Sequence, residues 1–278
     1  MLKYVRITLI ILFFLALAGA ASLYFYNYTH EDTSAPAFRS EAELLEVSVT
    51  DPEQALMQGL SAYDNVDGDL TSKIRVRAIS QLINDTDVNV SYIVFDESSN
   101  YATYSRTIRY RDYLPPRFRL LQPMIFGMGQ PVTFTGYVTV TDQRDGDISG
   151  RLKLEESTVI NNTPGTYTAM LSVTNRMGDT SYLPLTVQII DNTPSRPAIQ
   201  LKDYLIYVKT GEHVSFRSYL DEVTDPMSPE ADKTVPLSKV SVNASNVDTD
   251  TPGVYEVYYY YTGISGEIAT VILTVIVE

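Results

Sequence analysis

Two short acidic clusters are the places where residue type and spacing suit chemistry: Asp64-Asn65-Val66-Asp67-Gly68-Asp69 and Asp142-Gln143-Arg144-Asp145-Gly146-Asp147. Hard cations such as calcium take several oxygen ligands, and closely spaced Asp and Asn around a Gly turn can supply them. On that reading Asp64, Asn65, Asp67 and Asp69, and equally Asp142, Asp145 and Asp147, are calcium candidates. The simpler reading needs no ion. Asp and Asn side chains bond their own backbone in tight turns, and Gly takes a positive φ there at no steric cost. No Glu stands at the bidentate end position of an EF-hand loop, so that motif is not met and the turn is the preferred reading. No other metal or cofactor is expected, because the chain has no Cys and two His.

Other chemistry fares worse. A Ser-His-Asp arrangement would have to use His213, which aligns with Pro131 of an earlier segment and is expected at an exposed edge; His30 is expected in a solvated linker. Glycoside hydrolysis needs two acids about 5–9 Å apart across a cleft, and among 34 acids no pair is singled out. There is no Gly-rich phosphate loop, HExxH or CxxC. We therefore expect no catalytic residues and no enzyme. The run Tyr258-Tyr259-Tyr260-Tyr261 is the most unusual local feature. Strand alternation sends Tyr259 and Tyr261 inward and leaves Tyr258 and Tyr260 outward, as a candidate aromatic strip for a glycan or a protein. Against that stands the plain preference of strands for Tyr.

These residues must be positioned by strands. Asp64-x-x-Asp67-Gly68-Asp69 returns at Asp142-x-x-Asp145-Gly146-Asp147, and Asp112-Tyr113-Leu114-Pro115 returns at Asp191-Asn192-Thr193-Pro194. Thr163-Pro164-Gly165-Thr166-Tyr167 returns at Thr251-Pro252-Gly253-Val254-Tyr255. Three landmarks recurring at similar offsets mark three repeats. Between the landmarks, apolar residues alternate with period two: Val88, Val90, Tyr92, Val94, then Tyr167, Ala169, Leu171, Val173, then Tyr255, Val257, Tyr259, Tyr261. Turns at Asp96–Asn100, Asn175–Asp179 and Gly263–Glu267 lead into partner strands with Tyr104, Ile108 and Tyr110, with Leu183, Leu185, Val187 and Ile189, and with Val271, Leu273, Val275 and Val277. Gly129–Phe134 matches Gly211–Phe216 as a further shared strand start. About seven short strands per repeat predict an antiparallel β-sandwich, closed by Tyr, Val, Leu and Ile since neither Cys nor Trp is present.

The motifs Asp64-Asn65-x-Asp67-Gly68-Asp69, Pro164-Gly165-Thr166-Tyr167 and Asp96-x-x-x-Asn100, closed by Asp-x-x-Pro, resemble the immunoglobulin-like repeats of bacterial surface proteins. The resemblance covers roughly residues 45–278. The third repeat departs from it, with an insertion over Asp225 to Pro236 in place of Asp-Gly-Asp, and the first lacks the Pro-Gly-x-Tyr turn. The resemblance implies an all-β chain of tandem immunoglobulin-like sandwiches on a cell-surface or secreted protein, and no reaction.

The segment from Ile7 to Tyr26 has no charge, and its 20 residues at ~1.5 Å each match the ~30 Å of a bilayer's hydrocarbon core. Lys3 and Arg6 precede it, so the amino terminus is expected inside and the rest outside, with Tyr24, Phe25, Tyr26 and Tyr28 at the outer interface. The alternative is a signal peptide cleaved after Ala20, at Ala18-Gly19-Ala20, which would give a secreted protein. The expected organisation is a cytoplasmic stub (residues 1–6), a transmembrane signal-anchor (7–26), a short helical or irregular neck (27–44) and three repeats (45–114, 115–193 and 194–278). A net charge of −13 argues against nucleic acid. Partners are then the membrane, through residues 7–26, and an extracellular protein or glycan. The function expected is that of a non-catalytic, single-pass surface stalk, its repeats end to end, Pro115-Pro116 and Pro194-Ser195-Arg196-Pro197 stiffening the joints. A secreted glycan- or cell-wall-binding module is the alternative, and an accessory domain of an enzyme complex the remote one.

Overall fold

The computed structural model describes residues 2–30, 32–230 and 232–278, with only the backbone at residues 2 and 27–30. The side chains of Tyr28 and His30, and Glu31 as a whole, therefore lie outside the described residues. Helix α1 (Leu2–His30) opens the chain. Its stretch Lys3–Tyr26 is long and apolar enough to cross a membrane, and none of it is buried against the rest of the protein. The remainder is mostly β-structure, divided among the described residues into six small sheets.

The sheets come in three pairs with matching strand order. In the first pair, β1 (Ala37–Ser40), β3 (Leu60–Asp64) and β4 (Gly68–Asp69) form a small antiparallel sheet. The other sheet has the order β2-β7-β6-β5, from β2 (Leu44–Val47), β5 (Arg75–Leu82), β6 (Asp87–Phe95) and β7 (Tyr101–Tyr110). The second pair repeats this with β8 (Arg117–Leu120), β10 (Val138–Asp142) and β11 (Gly146–Asp147) in one sheet. Its larger sheet has β9 (Ile125–Gly127), β14 (Thr180–Ile190), β13 (Gly165–Thr174) and β12 (Lys153–Ser157) in that order. In the third, β15 (Ala198–Leu201) pairs with β17 (Leu220–Thr224), and the larger sheet runs β16 (Leu205–Val208), β20 (Ile268–Val277), β19 (Gly253–Thr262), β18 (Ser241–Asn243).

Each opening strand is split. Its first half joins the small sheet; its second half crosses over and runs parallel to the last strand of the module, β2 on β7, β9 on β14 and β16 on β20. This stitches the two sheets of each module together at one edge. The inward sets are buried as alternation requires: Val88, Val90, Tyr92 and Val94 are wholly enclosed, as are Leu171, Val173, Val257 and Tyr259, while Tyr104, Tyr167 and Tyr255 are half-buried. Each such enclosed side chain contributes roughly 1.5–3 kcal/mol through removal of apolar surface from water. The hairpin turns close where expected, with backbone bonds from Asp96 N to Asn100 O, Asn175 N to Asp179 O and Gly263 N to Glu267 O.

Four expectations need correction. The neck over residues 27–44 does not exist as such, because α1 extends to His30 and Ala37–Ser40 is already strand β1. The first module therefore begins before residue 45, and Leu44–Val47 pairs with β7 of the same chain. Gly129–Phe134 and Gly211–Phe216 are not strand starts. They follow β9 and β16, with Gly129 and Gly211 both at φ +82°, a left-handed turn that suits Gly. Finally, the chain divides into two compact units, residues 1–111 and 112–278, so the second and third modules share one unit.

Those two modules do not sit end to end. Leu205, outward on β16, is buried among the core of the second module with Phe118, Leu120 and Leu185, and Tyr207 and Ile276 pack beside it. The Phe118 N–H donates to the Tyr207 hydroxyl at 2.8 Å, and the Arg117 guanidinium lies 4.3 Å from the centre of the same ring. Arg117 also pairs with Glu278. Nearby, Thr168, Pro184 and Thr186 of β13 and β14 line one cavity with Val254, Glu256 and Tyr258 of β19.

Candidate functional site

The two Asp-Gly-Asp clusters are tight hairpins. Asp64 pairs with Gly68 and Asp142 with Gly146, and the glycines sit at φ +74° and +71°, which other residues rarely adopt. Asp64 Oδ1 accepts the N–H groups of Val66 and Asp67 at 2.8 and 3.1 Å; Asp142 Oδ1 accepts those of Arg144 and Asp145 at 2.9 and 2.8 Å. These backbone donors hold the Asp64 carboxyl below its ordinary range. The last Asp of each cluster caps the following turn, Asp69 on Thr71 N and Asp147 on Ser149 N, and the hydroxyls of Thr71 and Ser149 first, then these N–H groups, lower both carboxyls as well. The middle Asp reaches across the module: Asp67 Oδ2 accepts Glu97 N, and Asp145 Oδ2 accepts Arg176 N and the Arg151 guanidinium, each at 2.8 Å. Asn65 is exposed. The residues of each cluster point to different partners, and the structure does not gather Asp64, Asn65, Asp67 and Asp69, or Asp142, Asp145 and Asp147, round one point.

Asp64 is gathered with other acids instead. Among the described residues, oxygens of Asp32, Asp64 and Asp96 lie within 4.8 Å of one another. Asp64 is 1 % exposed and Asp96 7 %. Asp96 accepts the backbone and side-chain N–H groups of Asn100, whose amide also donates to Asp32 O. Asp64 Oδ2 and Asp32 Oδ2 are buried without a hydrogen-bond partner. The sequence singles out Asp64 but not its companions, which lie far to either side along the chain in different elements; Asp96 reads there only as a turn residue.

The equivalent corners of the other modules are built differently. Strand register places Asp142 and Asp225 where the first module has Asp64. In the second module Asn175 stands in for Asp96, and its amide donates to Asp142 Oδ2 at 2.9 Å and to the Tyr113 hydroxyl at 2.8 Å. In the third, Asp225 is fully enclosed; its Oδ2 accepts Ile264 N at 2.8 Å and the Tyr261 hydroxyl at 3.2 Å, and Oδ1 accepts Met227 N. Burial alone pushes this carboxyl up, but the donors outweigh it and the net direction is down. Gly263 fills the place of Asp96, where a Cβ would stand 3.1 Å from Asp225 Oδ2. The third repeat thus keeps the first acid of the motif, which its lost Asp-Gly-Asp pattern conceals.

Tyr258 and Tyr260 do share a site. Both are half-buried, not exposed, and their rings stack at 6.1 Å between centroids with 7° between planes. They line a groove of about 800 Å³ between the second and third modules, together with Gln188, Asp191, Arg196 and Gln200. The Tyr258 hydroxyl donates to Glu256 at 2.5 Å, and burial first, then that carboxylate, push it above its ordinary range. Arg196 is held by Glu267 and Ile268 O, while its buried Nε has no partner. His213 lies exposed in an irregular segment, away from this groove.

No family model matches the chain. It is 25 % identical over 234 residues to the pesticidal crystal protein Cry22Aa of Bacillus thuringiensis; the match covers 78 % of this chain and 29 % of that protein, so the chain spans less than a third of its curated relative. Solved structures with local likeness include the CBM51-2 domain with GlcNAc and the INT domains of Clostridium perfringens ZmpB (17 % identity, 53 % of this chain, 26 % of that one, TM-score 0.23). The lipoprotein BT2262 of Bacteroides thetaiotaomicron (16 %, 57 % and 98 %, TM-score 0.25) and Drosophila N-cadherin EC1-4 (12 %, 89 % and 76 %, TM-score 0.23) are others. Scores this low leave all three as partial likenesses.

Proposed function

We propose that this chain is a non-catalytic, membrane-anchored surface protein whose three immunoglobulin-like modules mediate adhesion to an extracellular protein or glycan. One observation carries the reading: an apolar helix with no protein packed on it, Lys3–Tyr26, leads directly into the first β-module. A helix apolar on all sides that buries nothing in its own protein is suited to lipid. Lys3 and Arg6 at its start favour an inside amino terminus and export of the modules. Asp67, Asp69, Asp145 and Asp147 serve as turn caps and cross-links, which supports a structural role for them over a catalytic one.

The full-length protein is expected to stay in the membrane pellet after alkaline carbonate extraction, with residues 7–26 still present on amino-terminal sequencing. Recovery from the medium with a mature terminus just after Ala20 contradicts the anchor and leaves the secreted alternative.

A second reading concerns what is bound. The stacked Tyr258–Tyr260 pair and the polar edge of the groove, including the unpartnered Arg196 Nε, favour a glycan. On this reading polysaccharide retention by the full chain falls at least tenfold when both tyrosines become Ala, since stacking and polar contacts are lost together; unchanged retention removes the groove from consideration.

A further inference from the structure

We propose that Asp32, Asp64 and Asp96 form a divalent-cation site at one corner of the first module, and that its ligand is calcium. This goes beyond the adhesion reading and does not rest on it. Three carboxylates offer oxygens within 4.8 Å of one another, and two of those carboxyl groups carry a buried oxygen with no hydrogen-bond partner. Asp64 is the telling residue. Its Oδ1 is occupied by two backbone donors, while Oδ2 is enclosed with nothing to accept from. A buried anionic oxygen without a partner is costly, and carboxylates brought this close repel one another. A cation removes both penalties at once.

The other two modules supply the comparison. Each has the equivalent of Asp64, and each satisfies its second oxygen from within the protein. The Asn175 amide does so for Asp142, and Ile264 N with the Tyr261 hydroxyl does so for Asp225. In the first module the place of Asn175 is taken by Asp96, a group that cannot donate when ionised. One corner of three has therefore exchanged an internal donor for a third negative charge. The ligand chemistry narrows the ion: all three groups are hard oxygen donors, with no Cys in the chain and no His in the cluster, which suits calcium over zinc or copper. Water would complete the coordination. Because Asp32 lies just beyond α1, bound calcium ties the segment after this helix to β3 and to the β6–β7 turn.

The test uses the full-length chain in detergent micelles, stripped with EDTA and titrated with calcium chloride by calorimetry and by thermal unfolding. The expected result is one calcium per chain, with a dissociation constant at or below the order of 10⁻³ M found for extracellular calcium modules. The first unfolding transition is expected to rise by roughly 5 °C or more at about 10 mM calcium. Asp96→Asn, which installs the side chain the second module uses, is expected to weaken binding at least tenfold without lowering the Tm in EDTA. Asp32→Asn, farther from the turn hydrogen bonds, is the second variant in case the first folds poorly. No saturable binding at about 10 mM calcium, or wild-type binding in both variants, overturns the proposal.

Discussion

Replacing Arg106 with Ala is expected to lower the stability of the first module by about 2–3 kcal/mol, the cost of leaving buried acceptors without their charge-assisted donor. Arg106 is 4 % exposed and sits on β7 facing the core. Its Nη2 donates to Leu56 O at 2.8 Å and to Gln58 O at 2.6 Å, its Nε to the Tyr92 hydroxyl at 3.3 Å, and Tyr92 in turn donates to Leu56 O at 2.5 Å. The guanidinium also lies 5.6 Å from the centre of the Tyr92 ring. The pair thus fastens the segment around the short 3₁₀ turn Glu53–Met57 onto the sheet. Without the arginine, Gln58 O loses its donor, Leu56 O keeps only one, and a cavity opens beside Tyr92. Arg106→Lys is expected to recover only part of the loss, because an ammonium lacks the planar fork that reaches several acceptors at once. Urea unfolding of the full chain, followed through its first transition, measures both. A loss below about 1 kcal/mol for Arg106→Ala, the size of an ordinary surface change, contradicts this role.

The second large effect is expected at the contact between the second and third modules. Leu205→Asp places an unpaired carboxylate among Phe118, Leu120 and Leu185, and a cost of about 4 kcal/mol follows from burying a charge without a partner. Leu205 points away from the third module's own core, which is built from Ile206, Val208 and their neighbours, so the loss falls mainly on the contact. The two modules are expected to unfold in one transition in the parent chain and in two in the variant. Tyr182→Ser, 60 % exposed on β14, serves as the control and is expected to leave the single transition intact. If the variant also unfolds in one transition at the parent's temperature, the contact does not couple the modules. The same substitution is expected to deform the groove holding Tyr258 and Tyr260, since both modules line it.

The strand pairs and their inward faces were legible because period-two alternation is a local signal. Val88 to Val94 and Leu183 to Ile189 read correctly as core before any pairing was known. The split first strands were not legible. Leu44–Val47 and Leu205–Val208 find their parallel partners at the far end of their modules, on β7 and β20, and nothing in so short a stretch records that pairing. The contact between modules did leave a trace. In β20, Ile272, Thr274 and Ile276 alternate with the inward set to make a nearly unbroken apolar run, which marks a strand covered on both faces. That covered second face is also what leaves Tyr258 and Tyr260 half-buried. The acidic corner was half legible: Asp64 stood out through its Asp-Gly-Asp neighbours, but those neighbours turned out to cap turns. Asp32 and Asp96 join Asp64 only through the sandwich, and Asp225 was hidden as the first residue of the third repeat's insertion.

The central claim, a surface protein held by its first helix, is tested most directly by protease treatment of intact cells expressing the full chain with different peptide tags at its two ends. The account predicts that external protease removes the carboxy-terminal tag while the amino-terminal tag survives in the membrane fraction. A protected carboxy-terminal tag on intact cells, cleaved only after lysis, places the β-modules inside and contradicts the account.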